Sequence, residues 1–185
     1  MKHILAVLAP LTWIALLTTF CVGLTSQAMN GLRSADGSIY LTHFTLGLFV
    51  VLFTLGVHSL IFIYFLGTGR WVKEVALAYG IPDAPLPKLT RDLKRRTFPP
   101  ALFAMLVPIA TAAAGAAVQW QDWHWTLHFS LGAATLAVNG WAFWVEYRNV
   151  GLNAGIIEDV LREVDRIRAA HGLNTNAEAL RQEQA

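Results

Sequence analysis

Four long apolar runs separated by polar or charged stretches set the pattern of the chain: residues 4–24, 41–67, 99–119 and 124–147. Within the second run, residues 41–66 contain no Asp, Glu, Lys or Arg. About 20 apolar residues cross a bilayer as a helix. The pattern therefore predicts an all-α integral membrane protein, a four-transmembrane-helix bundle. Lys2 ahead of the first run and Ser26-Gln27-Ala28 behind it also fit a signal peptide. At about 21 residues the run is long for that role, so it reads as an uncleaved first span, bent at Pro10.

The segments between runs refine this picture. Residues 25–40 read as a loop, with Asn30-Gly31 and Asp36-Gly37 as turn signals. Helical periodicity continues past the second run as far as Tyr79, where Gly80 offers a C-cap and Pro82 a stop. In the inter-span segment 68–98, Thr90 is placed to cap a basic turn over 91–96 ahead of Pro99-Pro100. The third run is rich in small residues from Thr111 to Ala117, which permits close helix approach in lipid, and Pro108 is expected to kink it. Trp120, Trp123 and Trp125 surround the tight turn to the fourth run and suit the headgroup level. Beyond that run, Ile156, Ile157, Val160, Leu161, Val164 and Ile167 recur at helical spacing. Helical extensions of spans two and four are thus expected, then a frayed polar tail after Gly172. The division reads as a membrane domain over 1–150 and a helix with tail over 151–185, with no internal repeat.

Composition narrows the class. The chain has 185 residues, 55% hydrophobic and 14% charged, with mean hydropathy +0.47; soluble domains carry nearer 25% charged residues. A net charge of +2 gives no reason to expect a nucleic-acid partner. Cys21 is the single cysteine, which excludes an internal disulfide. Positive charge is asymmetric: Arg70, Lys73, Lys88, Arg91, Lys94, Arg95 and Arg96 share one connection, and Arg148, Arg162, Arg166 and Arg168 follow the last run. The positive-inside rule then puts both termini and the helical extensions in the cytoplasm, in a bacterial inner membrane.

The candidate chemistry lies in polar seams on two of the runs. His43 and His58 are fifteen positions apart, about 60° in azimuth on a helix, so they share a stripe with Gly47 and Thr54. The fourth run carries His124, His128, Gly132, Thr135, Asn139 and Glu146. Imidazoles facing lipid would forfeit their hydrogen bonds, so both seams should face protein. His43 and His128 fall at one depth, within about a turn of the outer end of their spans. Two histidines on facing helices are an axial ligand set for haem b, and Gly47 and Gly132 would give the macrocycle room. With His124 and Cys21 the same pair would instead suit Cu or Zn. The spacing of His43 and His58 resembles that of membrane b-type cytochromes, but a second haem would need a ligand near Ala142 or the thioether of Met105. An interhelical hydrogen bond between His58 and Asn139 explains both residues without a cofactor. Glu146 reads as a boundary residue, pairing with Arg148 or Arg70.

The expected function is a membrane redox subunit holding one haem near the outer face and exchanging electrons with quinol or a periplasmic carrier. It is expected to act in electron transfer rather than as an independent enzyme. A non-catalytic accessory subunit, self-associating or bound to other membrane subunits, is the alternative, and a Cu or Zn protein the third. No nucleotide loop, nucleophilic triad or paired catalytic carboxylates are visible.

Overall fold

The computed structural model describes residues 1–29 and 37–183. Its elements are α1 (Lys2–Met29), α2 (Ser38–Tyr79), α3 (Leu86–Trp120), α4 (Trp125–Ala170) and the short α5 (Asn176–Glu183). Three of the long helices, Lys2–Ala28, Ser38–Tyr79 and Leu86–Trp120, are long and apolar enough to cross a membrane. The fourth expected span lies inside α4 but is not among them, because Asn139, Glu146 and other polar residues dilute its apolar run. Those residues are buried, while Trp141, Trp144 and Tyr147 of the same helix are exposed. The polar side chains of α4 thus point into the protein and its large aromatic ones outward.

The helix boundaries differ from those expected in several places. The first helix continues through the polar residues 25–28, where Thr25 returns its hydroxyl to the Cys21 carbonyl (3.0 Å). The turn signals Asn30-Gly31 and Asp36 lie outside the described residues. The segment 68–98 is mostly helix: α2 runs unbroken to Tyr79 and α3 begins at Leu86. Thr90 is therefore no cap; it is buried inside α3, its hydroxyl without a hydrogen-bond partner among the described residues. Both long C-termini close on a glycine in the left-handed region. At Gly80 (φ 65°) the Ile81 N–H reaches the Ala76 carbonyl (2.9 Å), and at Gly172 (φ 69°) the Leu173 N–H reaches that of Arg168 (2.9 Å). These are Schellman closures, for which glycine lacks the penalty a Cβ would bring.

The chain falls into two compact units, Met1–Phe62 with Thr97–Arg148, and Ile63–Arg96 with Asn149–Ala185. This differs from a cut at residue 150, because residues of 63–96 pack with those after 149. In this second unit Asn153 donates to Tyr64 Oη (3.2 Å) and Thr68 Oγ1 (3.1 Å), around a core of Phe65, Val72, Val160 and Val164. The tail is ordered as α5 rather than frayed. Thr175 and Glu178 form a reciprocal capping box, and the Asn176 N–H donates to Asp165 on α4 (2.8 Å).

The first unit has an unusually polar interior. Thr12, Thr54, His58, Thr135, Asn139 and Glu146 are all buried, while Ile4, Val7, Leu11, Leu48 and Leu52 are exposed. The buried hydroxyls of Thr12 and Thr54 donate to carbonyls four residues back (2.7 Å each), so they cost little to bury. Helices α2 and α4 are in contact and run in the same direction. His58 pairs with residues 81 and 88 positions further along the chain, and His43 meets His128, 85 positions on. A near-constant offset over four turns means parallel helices in one register.

Candidate functional site

His43 and His128 face one another in the first unit, with ring centroids 5.9 Å apart and ring planes at 77°. Each ring is aimed by a helix other than its own. His43 Nδ1 lies 3.1 Å from the Thr19 carbonyl on α1, and His128 Nδ1 lies 2.9 Å from the Thr111 carbonyl on α3. A carbonyl only accepts, so both Nδ1 atoms carry the proton. In neutral imidazole that leaves each Nε2 with a bare lone pair, and no described residue donates to either. This is the tautomer in which a metal-ligating histidine is held when its other ring nitrogen donates to a backbone carbonyl.

These carbonyls are reachable because of two glycines one helical turn further on. A Cβ on Gly23 would sit 2.6 Å from His43 Cε1, and one on Gly115 would sit 2.9 Å from His128 Cε1. Gly23 and Gly115 thus seat the two rings against α1 and α3. Gly47 and Gly132 also line the site, but a Cβ on Gly132 would meet the Phe20 ring at 3.1 Å. Much of the room expected at Gly132 is therefore already filled. A cavity of about 220 Å³ adjoins the pair; among the described residues its wall contains Thr, Gln, Tyr and Trp but no Asp, Glu, Lys or Arg.

The two halves of the site repeat each other in sequence. His43-Phe44-Thr45-Leu46-Gly47 on α2 matches His128-Phe129-Ser130-Leu131-Gly132 on α4, at an offset of 85 positions. Thr19, Gly23 and Gln27 on α1 match Thr111, Gly115 and Gln119 on α3, at an offset of 92. The expectation of no internal repeat is corrected: α1 with α2, and α3 with α4, make the same His–Thr–Gly contact. The signal was short, five residues on one helix and three spaced residues on the other, with the intervening positions free to diverge.

One level further along, the match breaks. At the 85-position offset His58 corresponds to Phe143, and the two rings stack with centroids 4.7 Å apart. His58 Nε2 lies 2.9 Å from Asn139 Oδ1, and Nδ1 lies 2.7 Å from Glu146 Oε1. Asn139 Nδ2 donates to the Ala104 and Thr135 carbonyls (3.3 and 2.9 Å), which fixes the amide so that Oδ1 accepts from Nε2–H. One proton then lies between Nδ1 and Oε1 and the pair is neutral overall, whichever atom holds it. Both ring nitrogens are committed, so neither Met105 nor a metal is served by His58. Glu146 pairs with His58 rather than with Arg148 or Arg70: it is fully buried, with Oε2 lacking a partner among the described residues.

The other expected ligands stand apart. Cys21 is exposed on α1 and His124 is exposed at the start of α4; neither lines the cavity. His124 Nδ1 takes the Thr126 N–H (3.4 Å) and approaches its hydroxyl (2.8 Å), which is the work of an N-cap. Among the described residues no three His, Cys, Asp or Glu side chains assemble a metal site, so the four-donor Cu or Zn arrangement is not formed. Comparison with known proteins returns no matching family model, no matching curated protein and no matching solved structure.

Proposed function

We propose that this chain is a membrane redox subunit, with His43 and His128 as axial ligands of one b-type haem held between α2 and α4. The observation that carries the reading is the pair of opposed imidazoles, each fixed by a backbone carbonyl in the tautomer that leaves Nε2 bare. The ring centroids lie 5.9 Å apart, near enough that His43 and His128 would both hold a single iron between them. Two bare lone pairs beside an apolar cavity lack a Lewis acid or donor, and a haem iron fits that need.

Bound haem supplies one-electron chemistry. The chain's own contributions are separate: Thr19 and Thr111 set the tautomers, Gly23 and Gly115 seat the rings, and the described wall is largely apolar. Helix α4 serves as the fourth span on this reading, its polar residues turned inward. The basic residues of segments 70–96 and 148–168 support, by the positive-inside rule, an orientation with both termini and the extensions of α2 and α4 on the cytoplasmic side of a bacterial inner membrane. The histidine pair then lies toward the opposite face, where quinol or a periplasmic carrier exchanges electrons.

The test is the haem and metal content of the detergent-purified protein from haem-replete cells. One extractable b-type haem per chain is expected. Copper or zinc in its place, or neither, overturns the reading; with neither, the chain becomes an accessory subunit whose histidines only hydrogen-bond.

A further inference from the structure

The two ends of the cavity differ in chemistry. Around Leu16, Val50, Val51 and Pro108 the wall is apolar, and Thr135 has its hydroxyl spent on Thr111 (2.7 Å). At the other end, toward the start of α2 and α4, stand Gln27, Tyr40, Gln119, Trp120 and Trp125. Gln27 and Gln119 are counterparts in the repeat, each one helical turn beyond the glycine that seats a histidine ring. Gln119 lines the cavity, and its Oε1 is buried with no hydrogen-bond partner among the described residues. Rotation of that amide by half a turn presents two N–H donors instead.

A b-type haem carries two carboxylate tails on one edge. Buried in an apolar wall without donors, each tail would be strongly disfavoured, so that edge must point to the end that has donors. A pair of carboxylates on a ligand held symmetrically between two repeated halves calls for a matched pair of groups, one from each half. Among the cavity-lining residues on α1 and α3, Gln27 and Gln119 are the amide pair that the repeat matches.

Resting on the haem reading above, we propose that Gln27 and Gln119 hold the two carboxylate tails of the haem, one each. The haem edge then faces the end of the cavity bounded by Tyr40 and Trp125. The recognition is by neutral amides; among the described residues the cavity wall has no Lys or Arg.

The test titrates protein from haem-deficient cells with two probes, protohaem and its dimethyl ester, for the wild type, Gln27→Leu, Gln119→Leu and the double variant. A hydrogen bond to a charged group is worth roughly a factor of ten or more in affinity. Wild type should therefore bind protohaem more tightly than the ester. Each single variant should lose about tenfold for protohaem, and the double variant should lose the preference, while ester affinity holds in all four. Retained ester binding also shows that the variants fold. Variants that bind protohaem as wild type does, or that lose both probes equally, overturn this assignment and leave the haem reading standing. A wild type that binds neither probe overturns both.

Discussion

His43 and His128 meet at 5.9 Å between ring centroids although 85 positions of chain separate them, and neither ring is oriented by its own helix. Each leans on the helix preceding its own: His43 on Thr19 of α1, His128 on Thr111 of α3. Four helices thus converge on two nitrogen lone pairs. The site depends on the backbone of α1 and α3 as much as on the histidines themselves.

The seats should be sensitive to a single methyl group. Gly23→Ala and Gly115→Ala each put a Cβ under 3.0 Å from an imidazole carbon, so the ring must leave its carbonyl. Overpacking of this kind costs about 1–3 kcal/mol. Haem retention should fall in both variants while helix content by circular dichroism stays unchanged. Gly56→Ala and Gly67→Ala meet nothing within 4 Å and serve as controls; in a helix interior they should be neutral or stabilising by up to about 1 kcal/mol.

The buried His58–Glu146 pair should show strong coupling. Removing one partner, as in His58→Leu or Glu146→Leu, strands a polar group in the interior and should cost about 3–5 kcal/mol. The double variant removes both polar groups of the pair but leaves the buried Asn139 Oδ1 without its donor, so its cost should fall well below the sum of the single costs without vanishing. Glu146→Gln keeps an N–H to donate to Nδ1 and should be the mildest of the set. A double-mutant cycle on unfolding in detergent reads these values, and additive single costs would contradict the shared-proton arrangement.

The capping box at α5 gives a pH dependence with a definite sign. The Thr175 backbone N–H (2.8 Å) and then its hydroxyl (2.9 Å) hold the Glu178 carboxyl below the usual glutamate range. A depressed value in the folded state means the contribution is present above the ordinary glutamate pKa and is lost as pH falls through the lowered one. Amide exchange in α5 should accelerate in that acid window, relative to its intrinsic rate, while α4 stays protected. Glu178→Gln should remove the acid step.

Much of the fold is legible in the sequence because membrane helices are written in long apolar runs, and the common depth of His43 and His128 can be counted from their ends. The His58–Asn139 contact can be reached by the same counting. Glu146 is not, because two positions before Arg148 it looks like a boundary residue; only the placement of His58 Nδ1 draws it inside. The seats at Thr19 and Thr111 are invisible for a different reason: the acceptors are backbone carbonyls, which every residue has, and only the glycine four positions on makes them reachable. The repeat is masked because His58, Asn139 and Glu146 on one level face Phe143, Thr54 and Ile61 at the matching positions.

The most direct measurement is the reduced-minus-oxidised visible spectrum of the detergent-purified protein, taken beside His43→Ala and His128→Ala. A bis-histidine haem predicts sharp α and β bands in the wild type, lost in both variants although helix content is retained. A folded, colourless wild type, or bands that survive either substitution, would contradict the account.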